Sequence, residues 1–268
     1  MGKFLHPRER KENMSKRQEL RARRERAQKN QRLLVIIGGV LVVAAIAAFL
    51  VISNLPKPVG EITSPDPVTR PQASGHSMGD PNAPVKIVEY SDYQCPFCAN
   101  FWRDTEAKIV ETYVKTGKVY FTYHSFGNWV SDNINSQAGT TNTESEQAAM
   151  ASYCAGDQEK FWEYHDYLFA NQNGENEAAF ARNRLDAFAE KLGLDMAAFK
   201  DCMDSSKYAS QVAQDAQDGV QAITTAPNYD GKGYGTPSFI INGKLINGAV
   251  PFTTFQQEID AALTAAGQ

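Results

Sequence analysis

Val85-Lys86-Ile87-Val88-Glu89-Tyr90-Ser91-Asp92-Tyr93-Gln94-Cys95-Pro96-Phe97-Cys98 decides how this chain is read. Val85 to Tyr90 is a short apolar run bounded by Pro84 and Ser91-Asp92, which predicts a buried strand. Pro96 then opens a helical pattern to Thr116, with Phe97, Phe101, Ala107, Ile109, Val110 and Tyr113 at helical spacing and Gly117 as the stop. Two cysteines three positions apart at that junction switch between dithiol and disulfide with little backbone movement, so Cys95 and Cys98 are a candidate two-electron redox centre. At the N-cap or first turn, Cys95 meets unpaired N–H groups and the positive end of the helix dipole, which favour its thiolate. Cys98, one turn on, is placed to resolve a mixed disulfide. Structural zinc needs a second cysteine pair or added histidines at short spacing; Cys154, Cys202 and the four histidines are scattered, and no metal or cofactor is expected. A purely structural Cys95–Cys98 bridge would close too short a loop to stabilise much.

Outward from that centre, Val119 to Tyr123 predicts a second strand. Residues 126–233 show helical patterns and no convincing strand. Thr143-x-x-Glu146 is a candidate capping box, Phe161 to Phe169 an aromatic helix, and further helices fall near 184–192, 195–204 and 207–223. Ser238–Ile241 and Lys244–Ile246 flank Asn242-Gly243, a strong hairpin signal, and Phe252–Ala265 predicts a final amphipathic helix. The fold class is mixed α/β (α+β): strand–helix–strand (83–125), helical insertion (126–233), then hairpin and helix (234–268).

The N-terminal part differs. Residues 1–32 carry twelve Lys/Arg against four Asp/Glu, while the rest of the chain is acidic. Leu33 to Ile52 has no charged residue, and twenty such residues span roughly 30 Å as a helix. The run exceeds the apolar core of a cleaved signal, and Val51-Ile52-Ser53-Asn54-Leu55-Pro56 is a poor cleavage site. Residues 33–53 are therefore expected to be one uncleaved transmembrane anchor, with 1–32 a basic cytoplasmic tail and the rest outside the cytoplasm. A nucleic-acid role for the Arg-rich tail competes, but a topology signal near anionic lipid explains the charge with fewer assumptions. Residues 54–82 form a Pro-rich linker, expected to be extended and poorly ordered.

Three segments resemble DsbA-family thiol-disulfide oxidoreductases: Asp80 to Cys98, Ala155 to Phe169, and Gly235-Thr236-Pro237-Ser238-Phe239. The resemblance covers about residues 78–266 and implies a thioredoxin fold with an inserted helical domain. It implies that Cys95 is the exposed nucleophile and Cys98 the buried resolving cysteine. Thr236 and Pro237 match a loop with a cis-proline whose backbone pairs with an extended substrate segment. Glu89 matches the family's buried acid, which exchanges a proton with Cys98; a strand carboxylate that is paired, or exposed at an edge, is the competing reading. One departure is Phe97, where the strongest oxidants of the family have His. Phe cannot donate a hydrogen bond or charge to the Cys95 thiolate. Redox potentials in this fold span about −120 to −270 mV, roughly 7 kcal/mol for two electrons. Phe97 itself offers apolar contact to unfolded substrates.

Cys154 and Cys202 are expected to form a structural disulfide closing a loop of about 48 residues, worth about 4 kcal/mol at most; two buried thiols and an electron relay are the alternatives. His165 reads as a packing residue, and His124 as a weak candidate for the active-site face. The expected function is oxidation of cysteine pairs in exported proteins, with a quinone-linked membrane reoxidase (DsbB- or VKOR-like) implied by the resemblance. A disulfide reductase or isomerase is the alternative enzyme, and a non-catalytic chaperone or metal-delivery module the alternative outside catalysis.

Overall fold

The structure is a computed structural model that describes residues 7–53 and 58–268. Residues 1–6 of the basic tail and 54–57 of the linker lie outside the described residues. The chain divides into two units, Met1–Lys57 and Pro58–Gln268. In the first, Pro7–Ser53 is one helix of 47 residues. Its stretch Gln28–Ile52 is long and apolar enough to cross a membrane, and its apolar side chains are exposed on every side.

The second unit is built on a five-stranded sheet in the order β1-β3-β2-β4-β5, with β1 Ser77–Met78, β2 Val85–Ser91, β3 Val119–Ser125, β4 Ser238–Ile241 and β5 Lys244–Asn247. β2 and β3 are parallel, joined by the helical run 96–114; all other neighbours are antiparallel. Parallel pairing demands such a crossover, and Gly117 ends it at φ +72°. Asn242 and Gly243 turn the β4–β5 hairpin with φ of +45° and +87°.

The 96–114 run is not the plain helix the periodicity predicts. α-Helical Pro96–Phe101 and Ala107–Ile109 alternate with π-helical Trp102–Glu106 and Val110–Val114. Each wide turn shifts the helical phase. Phe97, ahead of both wide turns, stands 61% exposed; beyond the first of them Ala107 faces solvent, whereas Phe101, Glu106, Ile109, Val110 and Tyr113 are buried. Between β3 and β4 lie helices Trp129–Ala138, Glu144–Gly156, Phe161–Ala170, Arg182–Lys191, Met196–Asp204 and Ala209–Thr224. The first of these was not expected; only Trp129, Val130 and Ile134 of it pack on the core. The Thr143 capping box does not form: Thr143 makes no side-chain cap, and the first N–H groups of that helix are met by Asn142 and Asn128 instead.

The linker also departs from expectation. Residues 58–84 pack on the rest of the second unit as a strap and contribute β1 to its sheet. Asn171 exchanges hydrogen bonds with both backbone groups of Thr63, and Arg184 donates to the Val59 carbonyl. Prolines keep this segment extended, but its polar side chains find partners on the insertion, so it is ordered by contacts remote in sequence. At its end Gly79, at φ +92°, packs so tightly that a Cβ would lie 2.5 Å from the Val119 carbonyl oxygen.

Candidate active site

Cys95 is the N-cap of the 96–114 run, at φ −69° and ψ 120°, with Pro96 next to it. The Cys95 N–H bonds to the Asp92 carbonyl, closing the turn out of β2. Both cysteines are free thiols and both are buried. Cys95 is 5% exposed rather than the open nucleophile expected, and Thr236, in the loop before β4, lies against it. Its sulfur donates to the Thr236 carbonyl at 3.3 Å, and Thr236–Pro237 is a cis peptide bond.

The two sulfurs are electrostatically unlike. A hydrogen bond from Cys98, aided by Thr236 and by the backbone N–H groups of Cys98 and Phe97, lowers the Cys95 thiol to about 7 against the opposing effect of burial. Cys98 is pushed well above the usual range, first by complete burial and then by Cys95. A thiolate at Cys95 beside a protonated Cys98 is the state that this geometry favours near neutral pH.

On β2, Glu89 is 1% exposed, and neither carboxyl oxygen has a hydrogen-bond partner among the described residues. It is no edge carboxylate: β2 is flanked by β3 and β4. Burial and the nearby Glu106 push its pKa well up, with Ser91 and Arg70 opposing. Glu106 belongs to a buried cluster that sequence reasoning missed. Arg70 Nη2 lies 2.6 Å from Glu106 Oε1 and 2.8 Å from Asp166 Oδ1. Asp166 also accepts from Trp102 Nε1 at 2.8 Å and lies 3.1 Å from His165 Nδ1. Acceptor atoms of Glu106, His165 and Asp166 lie within 4.8 Å of one another, close enough for an ion, but the positive charge of Arg70 already bridges two of the three. His165 is thus more than packing: fully buried, it holds Asp166.

The active-site turn is tied to the helical insertion by amide side chains. Gln172 donates to the carbonyls of Tyr93 and Cys95. Gln94 Nε2 donates to Ser131, Ser145 and Asn176, and its Oε1 accepts from the Asn176 N–H. Asp92 accepts from Gln94 N, Ser145 Oγ and Val130 N, and burial raises it to about 6. An Asp two residues before Gln94 is an Asx-turn signal visible in the sequence; the partners of Gln94 and Gln172 carry none. His124 pairs with Asp215 at 2.9 Å on the Ala209–Thr224 helix rather than with either active-site sulfur. Cys154 and Cys202 are joined by a disulfide between two helices of the insertion, with Cα atoms 5.9 Å apart.

A dithiol turn at a helix N-terminus, facing a cis-proline loop on a β2–β3–β4 core, defines a thioredoxin-like redox protein. The chain belongs to the thioredoxin family, whose family model it matches over residues 72–261. Its architecture is DsbA-like. BdbD from Bacillus subtilis in its oxidised form superposes with a TM-score of 0.57 at 23% identity, over 76% of this chain and 100% of that one. Wolbachia pipientis α-DsbA1 gives 0.57 at 22% identity, over 71% and 92%. In sequence, the chain is 29% identical to the probable disulfide bond formation protein D of Bacillus cereus over 70% of this chain and 78% of that protein. It is also 29% identical to the Na(+)/H(+) antiporter NhaA 1 of Salinispora arenicola over 71% of this chain, but spans only 24% of the antiporter's length.

Proposed function

We propose that this protein is a membrane-anchored thiol-disulfide oxidoreductase that works outside the cytoplasm and oxidises cysteine pairs in exported proteins. The observation that carries the reading is the opposed pair of sulfurs: Cys95 lowered to about 7 and lying against the Thr236–Pro237 loop, Cys98 held protonated by burial. In the oxidised enzyme a substrate thiolate attacks Cys95 Sγ, and the Cys95–Cys98 bond breaks. Cys98 leaves as a thiolate and takes its proton from neutral Glu89. The second substrate thiolate attacks the substrate sulfur of the mixed disulfide. The substrate disulfide forms, Cys95 leaves as a thiolate, and two electrons remain on the enzyme. The Thr236–Pro237 backbone holds the substrate segment in extended form, and Phe97 gives it an apolar contact. A quinone-linked membrane reoxidase of DsbB- or VKOR-like type removes the electron pair. The Gln28–Ile52 span, preceded by a basic segment, supports the anchor and its orientation.

A disulfide reductase is the second reading. It is favoured by Cys95 lying near 7, the value typical of thioredoxin itself rather than of strong oxidants. Oxidation of a reduced, unfolded dithiol substrate by the full chain in detergent separates the two. Stoichiometric substrate disulfide formation that Cys95→Ala abolishes supports the oxidase; substrate disulfides reduced by the dithiol enzyme under glutathione buffering point to the reductase.

A further inference from the structure

The loop that carries Thr236 and Pro237 leaves the Ala209–Thr224 helix and enters β4 at Ser238. Near its start, Asn228 lies along the edge of β5: its Nδ2 donates to the Leu245 carbonyl at 2.8 Å and its Oδ1 accepts from the Leu245 N–H at 2.9 Å. At its end, the Ser238 hydroxyl donates to the Gly235 carbonyl at 2.7 Å, and the Gly248 N–H to the Pro237 carbonyl at 2.8 Å. Between these anchors residues 230–233 are exposed, and Gly231 and Gly233 take φ of +75° and +110°. Glycines leave such a segment little stiffness of its own. Tyr234 is the side chain that fastens it. Its ring centre lies 5.4 Å from that of Trp129 and 6.1 Å from that of Phe126.

Trp129 opens the first helix of the insertion. Among the described residues it is the one partly buried side chain that packs on both the main core and the smaller cluster of Tyr90, Phe126, Ile223, Ala226 and Leu245. The residue after it holds the redox turn. Val130 N–H donates to Asp92 Oδ2 at 2.9 Å, and the Asp92 carbonyl accepts the Cys95 N–H at 3.0 Å. Two arms therefore leave this point. One runs through Val130 and Asp92 to Cys95; the other runs through Tyr234 to Thr236, whose carbonyl lies 3.3 Å from Cys95 Sγ.

We propose that Trp129 and Tyr234 are positioning residues for protein substrates: their ring contact fixes the Thr236–Pro237 backbone relative to Cys95, so that an extended segment can pair with the loop while its sulfur reaches Cys95. The inference rests on the substrate pairing proposed above. Both rings act through Thr236 rather than on a sulfur. Dithiothreitol has no peptide backbone to pair with the loop, so the contact matters for an extended chain and not for that small dithiol.

The test follows reduction of the Cys95–Cys98 disulfide, on the full chain in detergent, by rising concentrations of two donors: a reduced, unstructured peptide with two cysteines, and dithiothreitol. In Tyr234→Ala the peptide concentration giving half the limiting rate should rise about three- to tenfold, the size of one lost aromatic pair. The rate with dithiothreitol should stay within about twofold of wild type, a split that a general loss of structure would not give. Trp129→Leu, which keeps apolar bulk without a ring, should show the same selective loss. The double variant should lose no more than either single one, because there is one contact to remove. Tyr234→Phe keeps the ring and should behave as wild type. If Trp129→Leu does not fold, Tyr234→Ala removes the same contact from the loop side and decides alone. A folded variant whose peptide and dithiothreitol rates both match wild type, or fall together, overturns the inference, as do losses that add in the double variant. A wild-type disulfide that reacts with the peptide without saturating contradicts the substrate pairing itself.

Discussion

At the scale of residues, the chemistry turns on how differently two sulfurs 3 positions apart are treated. Cys95 receives hydrogen bonds at a helix N-terminus, whereas Cys98 is sealed in the core. Thiolate absorbance of the dithiol enzyme should therefore titrate in one step near pH 7, and Cys95→Ala should remove that step while Cys98→Ala traps mixed disulfides visible by mass spectrometry. Phe97 stands out at 61% exposure and gives Cys95 no polar contact. Phe97→His should put a donor and a partial positive charge beside the thiolate, lowering the Cys95 pKa by about one unit or more. It thereby stabilises the reduced form and raises the redox potential by about 30 mV per pKa unit. A potential unchanged by the substitution, measured in glutathione buffers, would show that position 97 does not tune the thiolate. These sulfurs, their spacing and Pro96 were legible in the sequence because the motif is local. The closed setting of Cys95 was not, since its cover comes from Thr236, 141 residues away.

Elements carry the next level of control. The turn between β2 and the helical run is held by Asp92, Gln94 and Gln172, all of which bond to or come from the insertion. Asp92 is raised in the fold to about 6 from a normal value near 3.8, so the folded state binds its proton more tightly than the unfolded chain. Its contribution is then full below about pH 4 and is lost as pH rises through about 6. Unfolding free energy of wild type relative to Asp92→Asn should fall by about 2–3 kcal/mol between pH 4 and 7, as denaturant titrations at each pH would read. A difference flat across that range would mean that Asp92 is not desolvated. Helix–sheet contact is similarly close at Gly219, where a Cβ would lie 2.7 Å from the Phe126 ring and 2.8 Å from that of Tyr90. Gly219→Ala should destabilise the unit by about 1–3 kcal/mol; a variant as stable as wild type would contradict that packing. The strands other than β1, the hairpin and most insertion helices followed from periodicity and turn residues. The π turns did not, because a phase shift within one helix leaves no composition signature.

Over the whole molecule, function is spread across segments that local patterns keep apart. The strap was expected to be a solvated spacer, since its prolines and polar residues carry no periodicity. In the fold it adds β1, and Arg70 reaches Asp166 96 residues away. Cys154 and Cys202 brace the insertion independently of the redox pair. A denatured, dithiol-state chain should yield two titratable thiols, and replacing both bracing cysteines by Ala should cost up to about 4 kcal/mol of stability without moving the Cys95–Cys98 potential. Four thiols in the native preparation would contradict the bridge. The proposed function requires Cys95 and Cys98 to be an oxidising pair. Its most direct test is the redox potential of that pair in the full chain, equilibrated with glutathione buffers and read by thiol alkylation. The account predicts a value well above the −270 mV, approximately, that is typical of thioredoxin; a value at or below it would contradict the oxidase and assign the enzyme to reduction.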